Sequence, residues 1–489
     1  MSRFRLVPAI DENPVVIRLA QAAWGRVVLV ALFLFLLRVS LRGTQFVDTA
    51  IVLVLVTLFA AHRRKILLFG ALYWAGVHVD VPWQVLATLR PQLDEGVGLG
   101  DFGVFRLRIL AAVLLLGALV HWLFRSRPAI WPARQPVWAL LAFHGALLAL
   151  LLHSPSHGLI WVSGWAFALA FGTYLWFFAY TLLDLRRNSQ RGFVEQLGLF
   201  HPFWGSTNTP FPKGAAYVDL IEAKDPEALA ISQLKGLKLL WWSLLLTVAA
   251  ALLRALFFGS PLPGGATLPL SLPIPPLGIA FRASVAGQPF PWLVNWGAMF
   301  LELALAGLKL SIWGHQFIAV ARISGFQARR NTYKPFLATS VSEFFNRYYY
   351  YFKELLVDCF FYPVFYALPR RRPKTALFVA TLAAAGFGNF VYHLFRDVHV
   401  LAERGLLRTL VDSQGHALYC LLLASAIFVS QVRRMGRAKA PKSRLAEWRA
   451  ILGVWIVFAL LTTLYVDMRN TRLVDHLRFL ADALPRVVG

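Results

Sequence analysis

From end to end the chain is a succession of apolar runs, each near the length a helix needs to cross hydrocarbon, separated by short polar connections. Inside lipid no water is available to satisfy backbone N–H and C=O groups, so a spanning segment must satisfy them within itself, as a helix does. With 58% hydrophobic and only 15% charged residues over 489 positions, the pattern specifies an all-α, polytopic integral membrane protein. The runs read as Val27 to Leu41, Phe46 to Ala61, Ile66 to Val79, Leu107 to Phe124, Val137 to Leu152, Leu159 to Leu183, Leu237 to Phe258, Pro291 to Ile318, Thr375 to Phe395, Arg408 to Val432 and Ile451 to Val466. That makes about eleven expected transmembrane helices. The first, flanked by Arg26 and Arg42 and lacking a small-residue cleavage site, reads as an uncleaved anchor.

The net charge of +25 would suit nucleic acid if it were concentrated on a soluble domain. Instead Lys and Arg fall in short clusters between apolar runs, which points to the lipid bilayer as partner and not to nucleic acid. His62 to Lys65, Arg125 to Arg134, Arg186 to Arg191 and Arg329 to Lys334 occupy every second connection, while His153 to His157 has no Lys or Arg. The expected topology therefore has a cytoplasmic N-terminus, with the Pro- and Gly-rich loop from Ser260 to Pro291 on the far side. The expected organisation is N-terminal transmembrane helices over 1–185, a cytoplasmic connection over 186–235 with a surface helix from Pro226 onward, and a transmembrane core over 236–489.

One segment breaks the alternation. Between Ser311 and Leu368 the chain passes from apolar sequence through a basic, proline-marked turn into a stretch too charged for lipid and too apolar for water. Basic clusters stand before it (Arg329, Arg330, Lys334) and after it (Arg370, Arg371, Arg372, Lys374), so both ends belong on one side. Glu343, Arg347, Tyr350, Glu354 and Asp358 recur at steps of three or four, the spacing of one polar stripe on a helix. Charged helices at membrane depth face protein or water, so re-entrant or steeply tilted helices forming a cytoplasmic funnel over 311–374 are expected.

Conventional site signatures are few. Gly98, Gly100 and Gly103 fit a dinucleotide-type glycine spacing, but no strand precedes them and a plain turn accounts for them. The sequence has no phosphate-loop lysine motif and no HExxH. His393, Asp397 and His399 cannot all share one helix face, so no metal site is expected. Cys359 and Cys420 both lie in apolar segments and offer neither a disulfide framework nor metal-ligand spacing. His393 stands out in AAAGFGNFVYHLFRD, near the end of an apolar helix thinned by Gly386 and Gly388. An ionisable group in such a segment usually faces an interior cavity, either as a functional imidazole or as a neutral one bonded to a neighbouring helix.

Ala321, Arg322, Gly325, Phe326, Asn331, Pro335, Leu337, Ala338, Ser340, Ser342, Glu343, Phe344, Arg347 and Pro363 follow an order and spacing that resembles the membrane-bound O-acyltransferases. The likeness is to the bacterial alginate and teichoic-acid type of polysaccharide acyltransferase, and it covers about fifty residues clearly and the rest through its pattern of spans. Bacterial members usually carry Trp-Arg-Arg-Trp-His where this chain has Phe345-Asn346-Arg347-Tyr348-Tyr349, so Tyr349 replaces the family's first histidine. The second histidine, in a Trp-His-Gly setting, corresponds to His393 in Tyr392-His393-Leu394. His315 falls where the bacterial pattern has Asp and reads as structural or tunnel-lining.

The resemblance implies transfer of an acetyl or other short acyl group from acyl-CoA, or a similar thioester, to a hydroxyl of an envelope glycan or lipid-linked acceptor. His393 is then the general base, and no tightly bound cofactor is needed. Asn346, Tyr349, Lys353 and Glu354 are expected to line the tunnel and position substrate. Arg329, Arg330, Lys334 and Arg370 are candidates for the donor phosphates, although topology alone also places basic residues there. Glu343 and Arg347, at i, i+4, read as a structural ion pair. The implied setting is a bacterial inner membrane with an extracytoplasmic partner protein. The alternatives are a non-catalytic relative acting as a binding or scaffold subunit, which the absent first histidine suits, and a membrane transporter, against which stands the lack of paired broken helices in corresponding halves.

Overall fold

The structure is a computed structural model that describes residues 7–40, 44–77, 89, 98, 101–154, 157–187, 190–197, 213–269, 272–369, 371–435, 443–466 and 471–485. These are helical almost throughout, and the one β-bridge among them joins Glu222 to Phe326. Eight described helices are long and apolar enough to cross a membrane: Ala23–Ser40, Phe102–Ser126, Leu159–Arg186, Pro226–Phe258, Trp292–Ile323, Pro373–Arg396, Gln414–Met435 and Arg444–Tyr465. A ninth would be the pair Phe46–Leu58 and Ala60–Trp74, bent by 111° at its break. Pro136–Leu152 is apolar but shorter. The chain is a polytopic helical membrane protein.

Several boundaries differ from those expected, and the separately expected spans Phe46 to Ala61 and Ile66 to Val79 form the bent pair. The helix beginning at Pro226 continues unbroken to Phe258, so the expected surface helix and the span after it are one element. No proline interrupts it, and its one glycine, Gly236, lies so close to another helix that a Cβ would stand 2.9 Å from the Ala319 carbonyl oxygen. Further on, the span expected from Arg408 begins at Gln414; Arg408 belongs to the preceding helix Val398–Asp412, which is kinked at Gly405 where φ is 73°.

The contacts group the residues into two units, the first comprising 1–241, 316–329 and 393–406, the second 242–315, 330–392 and 407–489. In the first unit, Leu159–Arg186 is almost wholly covered by protein. Glycines set that packing: Gly117 approaches the Phe178 ring, Gly164 approaches Leu151, and Gly172 approaches His144. A polar clamp holds the connections together. Arg63 and Arg64 both bond Glu222, Arg64 also reaches Asp219, and Arg191 grips Asp219 and Glu195. Burial alone would raise the Glu222 and Asp219 carboxyls, but bonds and charge from these arginines hold both below the usual carboxylate range.

The second unit has a core of Leu277, Phe281, Met299, Phe344, Leu423, Phe458 and Phe479 with smaller neighbours. Phe344 stacks on Phe458 at 3.8 Å between centroids, and the Trp455 indole N–H donates to the Phe336 carbonyl at 3.1 Å. Two π-helical segments, Val357–Phe361 and Leu382–Gly388, pack against each other, with Phe360 against Gly388.

Candidate functional site

The segment carrying the acyltransferase-like pattern is a series of short elements. Val341–Tyr348 and Tyr350–Leu356 are separate helices, followed by the π-turn to Phe361 and by Tyr362–Ala367. The expected single polar stripe is therefore broken at Tyr349, where φ is −144° and ψ 84°. The break has a local cause. The extended stretch Asn331 to Tyr333 runs beside it and takes over the backbone groups a continuous helix would have paired. Tyr333 N–H donates to the Arg347 carbonyl at 2.8 Å, Thr332 Oγ1 to the Tyr348 carbonyl at 3.0 Å, Tyr350 N–H to the Asn331 carbonyl at 2.8 Å, and Tyr351 N–H to Asn331 Oδ1 at 3.3 Å. Helix ends leave such groups unpaired, and here one buried Asn-Thr pair satisfies both ends of the break.

Most matched pattern residues have folding roles of this kind. Arg322 donates Nε and Nη2 to the Ala328 carbonyl, at 2.9 and 2.7 Å. Gly325 adopts φ of +92°, a conformation glycine tolerates, and the Phe326 ring lies under the Arg63 guanidinium. Pro335 starts a 3-10 turn. Ser340 caps the next helix by accepting from Glu343 N–H at 3.2 Å, and Glu343 in turn accepts from Thr339 N–H and Oγ1, each at 2.9 Å. The ion pair anticipated from spacing is present, Arg347 Nη2 standing 2.6 Å from Glu343 Oε1. Burial would raise the Glu343 carboxyl, but the Thr339 bonds and the charges of Arg347 and Arg434 hold it below the usual range.

The expected site residues divide between the two units. His393, half-buried, lies in the first and is on the last helical stretch of the Pro373–Arg396 span. Asn346, Tyr349, Lys353 and Glu354 lie in the second. Asn346 is exposed, Tyr349 packs on Phe352 at 5.5 Å, and Lys353 pairs with Glu354 while its ammonium stands 4.7 Å from the Tyr350 ring centre. Of the expected phosphate contacts, Arg329 and Lys334 are exposed and Arg330 half-buried; Arg330 and Lys334 both approach the Tyr333 ring. Arg370 lies outside the described residues, as do 198–212 of the cytoplasmic connection and Leu99 and Gly100 of the glycine run. Asp101 caps the Phe102–Ser126 helix, accepting from Val104 N–H at 2.8 Å. His315 Nδ1 lies 2.6 Å from the Ser311 carbonyl, so this nitrogen carries the proton.

Among the described residues no group of three or more His, Cys, Asp or Glu side chains could hold a metal ion. His144 and Asn389 are among the buried polar side chains that the sequence reading does not single out. His144, in the first unit, is fully buried against Phe171 and Phe395. Asn389, in the second, follows the π-turn, is 2% exposed, and its Oδ1 has no hydrogen-bond partner there. A histidine within PVWALLAFHGALLALLL was the available signal for the first; nothing in the sequence distinguishes Asn389. No model of a known protein family matches the chain, and no curated protein matches it.

Proposed function

We propose that the protein is a membrane-embedded O-acyltransferase of the membrane-bound O-acyltransferase type, moving a short acyl group from acyl-CoA or a like thioester to a hydroxyl of an envelope glycan or lipid-linked acceptor. The observation that carries this reading is the ordered set of matches from Ala321 to Pro363, with a histidine at position 393 in the corresponding later place. The set includes positions that geometry makes demanding, such as Gly325 at positive φ and Asn331 at the helix break.

In this reading His393 removes the acceptor hydroxyl proton as the oxygen attacks the thioester carbonyl, and the thiolate of CoA leaves. A neutral imidazole suits that task, and general-base help of this kind contributes about 10²- to 10⁴-fold. Tyr349 and Asn346 are the candidates to orient the carbonyl in place of the absent first histidine, with Lys353 and Glu354 positioning substrate. Arg329, Arg330, Lys334 and Arg370 meet the donor phosphates from a cytoplasmic rim; in this reading the N-terminus is cytoplasmic, as the basic connections suggest, and the resemblance implies a bacterial inner membrane. About eleven crossings, with the short helices of 311–374 as a funnel, complete the topology.

The test is to incubate purified protein with acyl-CoAs of graded length and candidate acceptors and to follow free thiol release. Acceptor-dependent release with a length preference supports the reading; release from no donor, with labelled solute taken up by proteoliposomes, favours a carrier. Substitution of the first histidine by Tyr349 specifically favours one further reading, a non-catalytic relative that binds envelope-assembly proteins, and this would give neither release nor uptake.

A further inference from the structure

An open cavity of about 630 Å³ lies within the second unit, lined by Trp296, Leu422, Val457, Leu464, Leu480 and Ala483 among other residues, all apolar. Its walls come from the spans Trp292–Ile323, Gln414–Met435 and Arg444–Tyr465 and from the short helix Leu473–Asp482 with the residues just after it. The volume falls in the range of about 300–1,000 Å³ typical of sites for small organic ligands.

The short helix is an independent indication of what fills it. One face is fastened to the protein. His476 Nδ1 is 2.8 Å from the Thr463 carbonyl and its Nε2 is 3.1 Å from Thr471 Oγ1; Ser284 Oγ donates to Asp482 at 2.5 Å; Trp296 Nε1 donates to the Ala483 carbonyl at 3.0 Å. The other face exposes Val474, Leu477, Ala481 and Leu484 at helical spacing, together with Arg472 and Arg478. An exposed apolar stripe edged with arginine is the pattern of a helix lying in the membrane interface.

The exposed charge on this helix and on the adjoining helix Leu277–Val285 is basic. Arg282, Arg472 and Arg478 are exposed, whereas Asp482 is buried on Ser284 and Asp475 accepts from the Arg472 N–H at the helix start. Arg478 stands one turn before Ala481, which lines the cavity, and its Nη1 reaches the Val285 carbonyl at 3.4 Å. We infer that the cavity seats an acyl chain of one anionic phospholipid from the surrounding bilayer, with the lipid phosphate held by Arg478. Apolar walls continuous with the interfacial helix take the chain, and Arg478 selects the negative headgroup.

The experiment uses the full-length protein in a non-ionic detergent, given equal amounts of phosphatidylglycerol and phosphatidylcholine of distinct mass and examined by native mass spectrometry. Wild type is expected to retain one lipid, with phosphatidylglycerol preferred by about fivefold, the preference one arginine supplies. Ala426→Trp, which fills the cavity from its wall, loses retention of both lipids. Arg478→Gln, an exposed substitution, keeps a lipid but loses the preference. Gel filtration and circular dichroism report whether each variant keeps the wild-type fold, and Arg478→Gln tests the headgroup assignment even if Ala426→Trp does not. Equal retention of the two lipids by wild type, no retained lipid, or an undiminished preference in Arg478→Gln would each overturn the assignment.

Discussion

Replacing Asn331 by Ala tests the cause assigned to the break at Tyr349. The side chain accepts from Tyr351 N–H at 3.3 Å, and Tyr351 is itself 2% exposed. Leaving a buried N–H without a partner costs about 1–3 kcal/mol, whereas an ordinary intramolecular hydrogen bond is worth about 1 kcal/mol net. Thr332→Val is the internal comparison, because it removes a donor from the Tyr348 carbonyl but leaves no buried N–H unpaired, and should cost about 0.5–1.5 kcal/mol. Equilibrium unfolding in mixed micelles titrated with dodecyl sulfate would rank the variants, with Asn331→Ala the less stable. Limited proteolysis adds a local readout, since cutting near residue 349 should rise in Asn331→Ala before global unfolding. A midpoint for Asn331→Ala indistinguishable from wild type, or cutting confined to other connections, would refute the reasoning.

Two further outcomes follow from the first unit. Gly325→Ala should destabilise by about 2–3 kcal/mol, because φ is +92° and the new Cβ would stand 2.6 Å from Arg63 Nη1; an unchanged unfolding midpoint would contradict this. The depressed carboxyls of Glu222 and Asp219 contribute stability that is fully present above the unfolded-state value near 4.3 or 3.9 and is lost as pH falls through the lower folded values. Glu222→Gln should therefore lower stability by about 1–3 kcal/mol at pH 7, and the gap to wild type should narrow on acidification below about pH 4. A gap that widens with acid would reverse the sign of the argument.

The membrane class was legible because it depends on a quantity summed over many residues, and no single substitution in a run such as LIWVSGWAFALAFGTYLWFFAYTLLDLR alters it. Individual breaks were not, since they depend on distant partners. Residues 341 to 358 satisfy a helical period throughout, yet Asn331 to Tyr333 interrupt it by supplying hydrogen bonds from outside the window any periodicity inspects. The Glu343–Arg347 pair was legible because both partners lie on one turn of one helix. The continuation of the Pro226 helix into a span was hidden by its polar first turns, where Ser232 and Gln233 resemble a surface but donate to the Arg322 and Ile323 carbonyls. His144 and Asn389 illustrate the same limit, because burial is a property of neighbours.

The most direct measurement for the proposed chemistry is acyl transfer by purified wild-type and His393→Ala protein to the acceptor that gives thiol release, with both proteins shown to be monodisperse and equally helical. A fall of about 10²- to 10⁴-fold in the rate of transfer, with donor binding retained, is the expected result. Transfer by the alanine variant at the wild-type rate would contradict it.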